Sequence, residues 1–167
     1  METQNVFQIV GFSNSGKTTL MEKLIKKGTK LGYKVGTVKH HGHGGSPEKM
    51  NSEKDSDIHH RAGAHISAVE GDGNIHLEIS IKNGGLTEIL KCYEHFPLDL
   101  VLIEGYKHAV YPKVVLIRHQ DDVILLEKLE NIKAVISWIP LELEAEFDVY
   151  MIQDSDLFVE VFFARML

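Results

Sequence analysis

The run Gly11-Phe12-Ser13-Asn14-Ser15-Gly16-Lys17-Thr18 is spaced to wrap a chain of phosphates. Gly11 lets a strand turn sharply, and Gly16 lets backbone N–H groups approach phosphate oxygens with no Cβ in the way. A helix starting at Gly16 or Lys17 aims the positive end of its dipole at the same oxygens. Lys17 places an ammonium against the β- and γ-phosphates, and the Thr18 hydroxyl is placed to ligate Mg2+. Every fixed position of a P-loop is therefore filled, which predicts a nucleoside triphosphate as ligand. Such a loop works with an acid at the end of a neighbouring apolar strand, on or near the metal. Leu100-Val101-Leu102-Ile103-Glu104-Gly105 supplies one. Glu104 falls at the strand end where open α/β sheets bind ligands, so it is assigned to Mg2+ and, with Lys17, to hydrolysis. The competing reading of Glu104 is an ordinary turn acid. Asp99, at the other end of the same strand, reads as a start or cap residue.

These groups need elements to carry them. Residues 6–10 form a short apolar run ending at Gly11, a buried strand. Leu20, Leu24, Ile25 and Leu31 recur at helical spacing after the loop, and Gly32 ends that helix. Residues 33–39 are expected as a second strand, 40–53 as a Gly/Ser/His/Pro loop and 54–64 as a short helix. Segments 65–70 and 74–82 flank Gly71-Asp72-Gly73 as a hairpin, and 83–85 turn into a helix over 86–96. Further strands are expected at 98–103, 113–118, 133–137 and 149–152, with a short helix over 121–129. Asp154-Ser155 is expected to cap a last helix that buries Leu157, Phe158, Val161 and Phe162. Apolar strands alternating with helices predict an α/β fold of P-loop NTPase type: a mainly parallel sheet flanked by helices. The hairpin extension, about 65–82, is expected to add antiparallel strands to that sheet.

The length of 167 residues suits one domain, 1–167, with a core able to stand alone. A net charge of −6 argues against a nucleic-acid partner. Lys26, Lys27, Lys30 and Lys34 cluster late in the first helix, where a solvated face explains them. The single cysteine, Cys92, excludes an internal disulfide and reads as packing. No apolar run reaches the roughly 18 residues of a membrane span, and no signal peptide is expected, so the chain is read as cytoplasmic with no membrane partner.

His40, His41 and His43 follow the second strand beside Lys39, Gly42 and Gly44. They match the spacing of no closed zinc site. The loop either borders nucleotide or a second substrate, binds a transition metal, or is plain solvated loop. Asp55, His59, His60 and Arg61 line the short helix that follows, and Asp55 either caps it or serves Mg2+.

Taken in order, several pieces resemble the molybdopterin-guanine dinucleotide biosynthesis adaptor (MobB) family. They are the loop 11–18 with Thr19 after it, and Gly36-Thr37-Val38-Lys39-His40 before the His/Gly loop. Lys54-Asp55-Ser56 with His59 and Ala62-Gly63-Ala64 comes next, then Asp99-Leu100-Val101-Leu102-Ile103-Glu104-Gly105-Tyr106-Lys107. The likeness runs from Val6 to about Arg118. It implies a GTP-binding homodimer with slow GTPase activity, partnered with the guanylyltransferase that joins GMP to molybdopterin. It implies that Gly11, Asn14, Ser15, Gly16, Lys17, Thr18 and Thr19 hold phosphates and that Thr18 holds Mg2+. Asp55 and Glu104 would be the acids near the metal, and Lys39, His40 and Lys107 would border the site. The chain departs from the family at Asp57 and Ile58, where an aromatic and a basic residue are expected. No Asn-Lys-x-Asp run reads guanine. Ile136-Ser137-Trp138 stands at a strand end where a base could be recognised. Phe12 replaces the early P-loop lysine of dimerising ATPases.

Two other functions use the same loop. A small-molecule kinase using ATP would need an arginine-bearing lid, yet the arginines are Arg61, Arg118 and Arg165, and only Arg61 is expected near the site. A scaffold with a relic loop conflicts with intact Lys17, Thr18 and Glu104. Oligomeric state has its own signal. Alternation along 75–81 puts Ile75, Leu77, Ile79 and Ile81 on one face, and the hairpin leaves a strand edge open. A second copy, or helices of the same chain, must cover that face.

Overall fold

A computed structural model describes residues 5–40, 58, 59, 61–81, 85–141 and 147–166. Two compact units result: Met1–Gly42 with Ile89–Leu167, and His43–Glu88.

In the first unit, six strands form one sheet. They are β1 (Asn5–Gly11), β2 (Val35–Lys39), β5 (Leu100–Glu104), β6 (Lys113–Ile117), β7 (Ile132–Ser137) and β8 (Asp148–Met151). Their order is β2-β5-β1-β6-β7-β8 and every pairing is parallel. The central strands β5 and β6 are buried along their whole length, as expected of a parallel sheet covered on both faces. On one face α1 (Lys17–Lys30) and the last helix, Ser155–Met166, pack over Ile9, Leu100, Leu102, Leu116 and Ile136. Gly28 permits their close approach: a Cβ there would lie 3.1 Å from Phe163 Cζ. On the other face the short helix Ile124–Lys128 covers Val10, Val115, Ile117 and Val135 through Leu125, with Leu129 just beyond it.

The last helix buries Phe158, Val159, Phe162 and Phe163. Its inward stripe thus pairs positions 158/162 with 159/163. Leu157, expected inside, is 57% exposed, and Val161 is half-buried. Leu31 is the C-cap of α1 and is also exposed; Gly32 after it, at φ 90°, turns the chain away. Strand β2 begins two residues later than expected. Asp99 fixes that start: its carboxylate accepts the Lys34 N–H at 2.6 Å.

The second unit holds β3 (Ile66–Gly71) and β4 (Asn74–Ile79), paired antiparallel through Asp72 at φ 51° and Gly73 at φ 75°. Positive φ at both central residues is what a two-residue hairpin turn requires. The strands form their own two-stranded sheet, so the expectation that they add to the parallel sheet is corrected. Ile81 falls beyond β4. Helical hydrogen bonds run from Ala62 to Ile58 and from Ala64 to His59. The helix Leu86–Tyr93, shorter than expected, follows the hairpin; its Tyr93 hydroxyl donates to the Thr37 carbonyl at 2.7 Å.

Candidate functional site

Parallel pairing delivers the site residues to one edge of the sheet. Glu104 is in register with Ile9 of β1 and with Lys39 of β2, and Gly11 with Leu116 of β6. The P-loop therefore leaves the sheet beside Glu104, at the carboxyl ends of the strands.

The loop is shaped to exclude side chains. A Cβ on Gly11 would stand 2.6 Å from Ser15 Oγ and 2.9 Å from the Leu116 carbonyl oxygen. Gly16 takes φ 99° and Asn14 φ 59°. α1 begins at Lys17 with no acidic residue in its first turn, so its free N–H groups and positive end face the loop. Ser15 is buried, and its hydroxyl has no hydrogen-bond partner among the described residues. Such a hydroxyl is costly unless something else satisfies it, and a phosphate oxygen at the loop would do so.

Lys17, Lys39 and Lys107 gather around the loop and Glu104. Lys17 Nζ donates to the Phe12 carbonyl at 2.6 Å. Lys39 Nζ stands 3.6 Å from Glu104 Oε1. Lys107 Nζ lies 3.9 Å over the Phe12 ring. Partial burial pulls the Lys17 ammonium below the usual lysine range; Glu104 opposes that, while Lys107 and Lys39 reinforce it. Among the described residues the arrangement carries excess positive charge with a single buried carboxylate, which suits a polyanion.

The Thr18 hydroxyl lies 3.3 Å from both Glu104 oxygens. These are hard oxygen donors, suited to Mg2+, which takes one or two protein oxygens and completes its shell with phosphate and water. Among the described residues no group of three His, Cys, Asp or Glu side chains could cage a metal alone. Thr18 and Glu104 would hold Mg2+, and the ion would supply charge neutralisation between the terminal phosphates. Asp55, His41 and His43 lie outside the described residues, as does His60. His40 is described: its ring stands 4.4 Å from that of Tyr106, and its N–H donates to the Glu104 carbonyl. Thr19 is exposed one position beyond Thr18.

Some working residues escape sequence reasoning. Gln8 sits fully buried in mid-strand, where an apolar residue is expected. Its amide donates to the carbonyls of Gly105 and Tyr106 at 3.1 and 2.8 Å. Those two residues take φ 96° and 49°. Gln8 thus braces the turn that presents Lys107; a polar residue inside an apolar strand was the only available signal. Arg118 was expected away from the site, and the structure brings it to the P-loop. β6 adjoins β1, so the residue after β6 emerges next to the loop, and Arg118 Nη1 donates to the Asn14 carbonyl at 2.8 Å. Trp138, after β7, donates its indole N–H to the Ser15 carbonyl at 3.0 Å.

Residues 6–138 match a family described as molybdopterin guanine dinucleotide synthesis protein B. A Bacillus subtilis protein named "Probable molybdopterin-guanine dinucleotide biosynthesis adapter protein" is 42% identical over 131 residues, covering 78% of this chain and 75% of that one. The crystal structure of a MobB protein homolog from Bacillus stearothermophilus superposes with TM-score 0.80 at 39% identity, covering 98% of both chains. That of Bacillus subtilis MobB gives TM-score 0.83 at 34% identity, covering 96% of this chain and 97% of that one.

Proposed function

The chain belongs to the molybdopterin guanine dinucleotide synthesis protein B family, and from that membership we propose that it is a GTP-binding adaptor in molybdopterin guanine dinucleotide biosynthesis. It serves the guanylyltransferase that attaches GMP to molybdopterin, as a cytoplasmic homodimer with slow Mg2+-dependent GTPase activity. The observation that carries the nucleotide half is the P-loop against Glu104, with Lys17, Lys39 and Lys107 around them. The adaptor half rests on the names of the relatives.

The site's own residues account for binding with slow turnover. Backbone N–H groups of 14–18 and the Lys17 ammonium hold and orient the phosphates. Thr18 and Glu104 hold the ion. Hydrolysis at such a site is positioning plus charge neutralisation, and lacking an arginine finger costs about 10³–10⁵ in rate. Arg118, the arginine at the cradle, is engaged with the Asn14 carbonyl and does not stand free to serve as one. The same engagement weakens the kinase reading, which needs arginines on a moving lid.

Calorimetric titration with GTP and ATP, with and without Mg2+, tests the proposal. GTP is expected to bind more tightly, and Mg2+ to strengthen it. Adding the chain to its guanylyltransferase is expected to raise guanine dinucleotide formation. Tighter ATP binding would overturn the reading.

A further inference from the structure

Beside the P-loop lies a cavity of about 200 Å³, lined among others by Gly16, Thr19, Lys23, Trp138, Ile152 and Ser155. We propose that it receives the nucleobase and that Lys23 selects purines carrying a 6-keto oxygen. The inference rests on the triphosphate reading above and names what that reading leaves open.

The cavity is continuous with the phosphate cradle. Gly16 and Thr19 bracket Lys17 and Thr18, so a nucleotide whose phosphates lie on the loop has its nucleoside directed towards this side of α1. A Cβ on Gly16 would point in, meeting Trp138 Cζ2 at 3.9 Å and Ile152 Cδ1 at 4.0 Å. The walls are apolar and one is an indole, the chemistry that receives a flat heterocycle. The indole is fixed by its N–H bond to the Ser15 carbonyl, so the wall is tied to the loop itself. Arg118 stands 5.7 Å from the centre of the Trp138 ring.

Lys23 is the one charged group among the described lining residues, beside the hydroxyls of Thr19 and Ser155. Lys23 Nζ is held by Ser155 Oγ at 2.9 Å and by Asp156 Oδ1 at 2.7 Å. An ammonium has three protons and accepts nothing, so two are directed by these partners and one is left to donate. The cavity thus has an ammonium in its lining with a proton left to donate. The 6-keto oxygen of guanine or hypoxanthine accepts it; the 6-amino group of adenine presents protons to it. A site that pairs a substrate acceptor strongly rejects an analogue lacking one, because its own donor is left unpaired.

Inosine triphosphate is the discriminating probe, because it keeps the 6-keto oxygen and lacks the 2-amino group of GTP. Trp138 is the single tryptophan of the chain, so its fluorescence reports on the cavity wall directly. We expect GTP and ITP each to change that emission and to bind within about threefold of one another, with ATP about tenfold weaker or more. Lys23→Met should bring the GTP-to-ATP ratio to within about threefold while triphosphate binding persists. ITP behaving like ATP, or an unchanged ratio in Lys23→Met, overturns the proposal. The ITP comparison uses the unaltered chain, so a folding defect cannot blur it. Inorganic tripolyphosphate separates the two readings. If it binds and the nucleoside adds nothing, only the base cavity fails; if neither it nor any nucleotide binds, the P-loop reading fails as well.

Discussion

On the proposed function Lys17 and Glu104 have two different jobs, binding phosphate and holding the metal, within a few ångströms of each other. Lys17 is a half-buried ammonium at the mouth of the loop and no part of the apolar core. Lys17→Ala should keep the fold and lower triphosphate affinity by about a hundredfold or more, the worth of a charge-assisted contact. Its titration gives a second signature. Burial lowers its proton affinity in the folded chain, against the pull of Glu104. The unfolded chain then holds more protons as pH climbs towards the ordinary lysine range, so the parent should gain stability relative to Lys17→Ala over that window. Denaturant midpoints of both proteins across alkaline pH would show a parallel course if Lys17 were unperturbed. Glu104→Gln should instead retain nucleotide and lose Mg2+ dependence and hydrolysis; hydrolysis at the parent's rate would make Glu104 a turn residue. The placement of both residues was legible in the sequence because it is fixed by spacing along one strand or loop. Arg118 was not, since nothing local says which strand ends beside which; only the order β2-β5-β1-β6-β7-β8 brings it to Asn14.

Elements were legible where apolar runs are long and uninterrupted. Strands β1, β5, β6 and β7 and helix α1 lie within a residue or two of their expected places: the strands are mostly buried apolar runs, and α1 carries its apolar residues at helical spacing between Gly16 and Gly32. The phase of the last helix was harder. Its residues Leu157, Phe158, Val159, Val161, Phe162 and Phe163 are apolar nearly all round, so periodicity alone does not choose the buried side, and contact with α1 decides it. Gln8 shows the other limit: a polar side chain within a strand reads as a defect until its acceptors are seen. Because it joins β1 to the turn after β5, its effect belongs to the elements. Gln8→Leu fills similar space and removes both hydrogen bonds to Gly105 and Tyr106. It should cost about 1–2 kcal/mol, the worth of two part-buried hydrogen bonds. It should also weaken triphosphate binding through the displaced Lys107. Equal denaturant midpoints and equal GTP affinity for both proteins would reduce Gln8 to filler.

Whole-molecule behaviour turns on the hairpin, whose strands show a pattern no monomeric surface needs. Pairing Ile66 with Ile79, Ala68 with Leu77 and Glu70 with Ile75 puts Ile66, Ala68, Ile75, Leu77 and Ile79 on one face, with Glu70 at its turn end. Ile66 is 56%, Ile75 68% and Leu77 53% exposed. The opposite face carries Ser67, Val69, His76 and Glu78. Alternation of this kind specifies an apolar partner for one face only, since a slip by one residue would bury the polar set. An isolated two-stranded sheet is marginal in water without such cover. A second copy of the chain meets the need with a two-fold interface, each hairpin laying the same face on its mate. The wild type should therefore sediment as a dimer at micromolar concentration. Leu77→Asp, at the centre of the face, should dissociate it by placing a carboxylate in the interface, while the far-ultraviolet circular dichroism of the parallel sheet and its helices is kept. GTP affinity per chain should survive dissociation, because Lys17, Thr18 and Glu104 all lie in the other unit. A wild type that remains monomeric at high micromolar concentration would end the dimer proposal, and a Leu77→Asp chain that unfolds instead of dissociating would assign the face to the chain's own core.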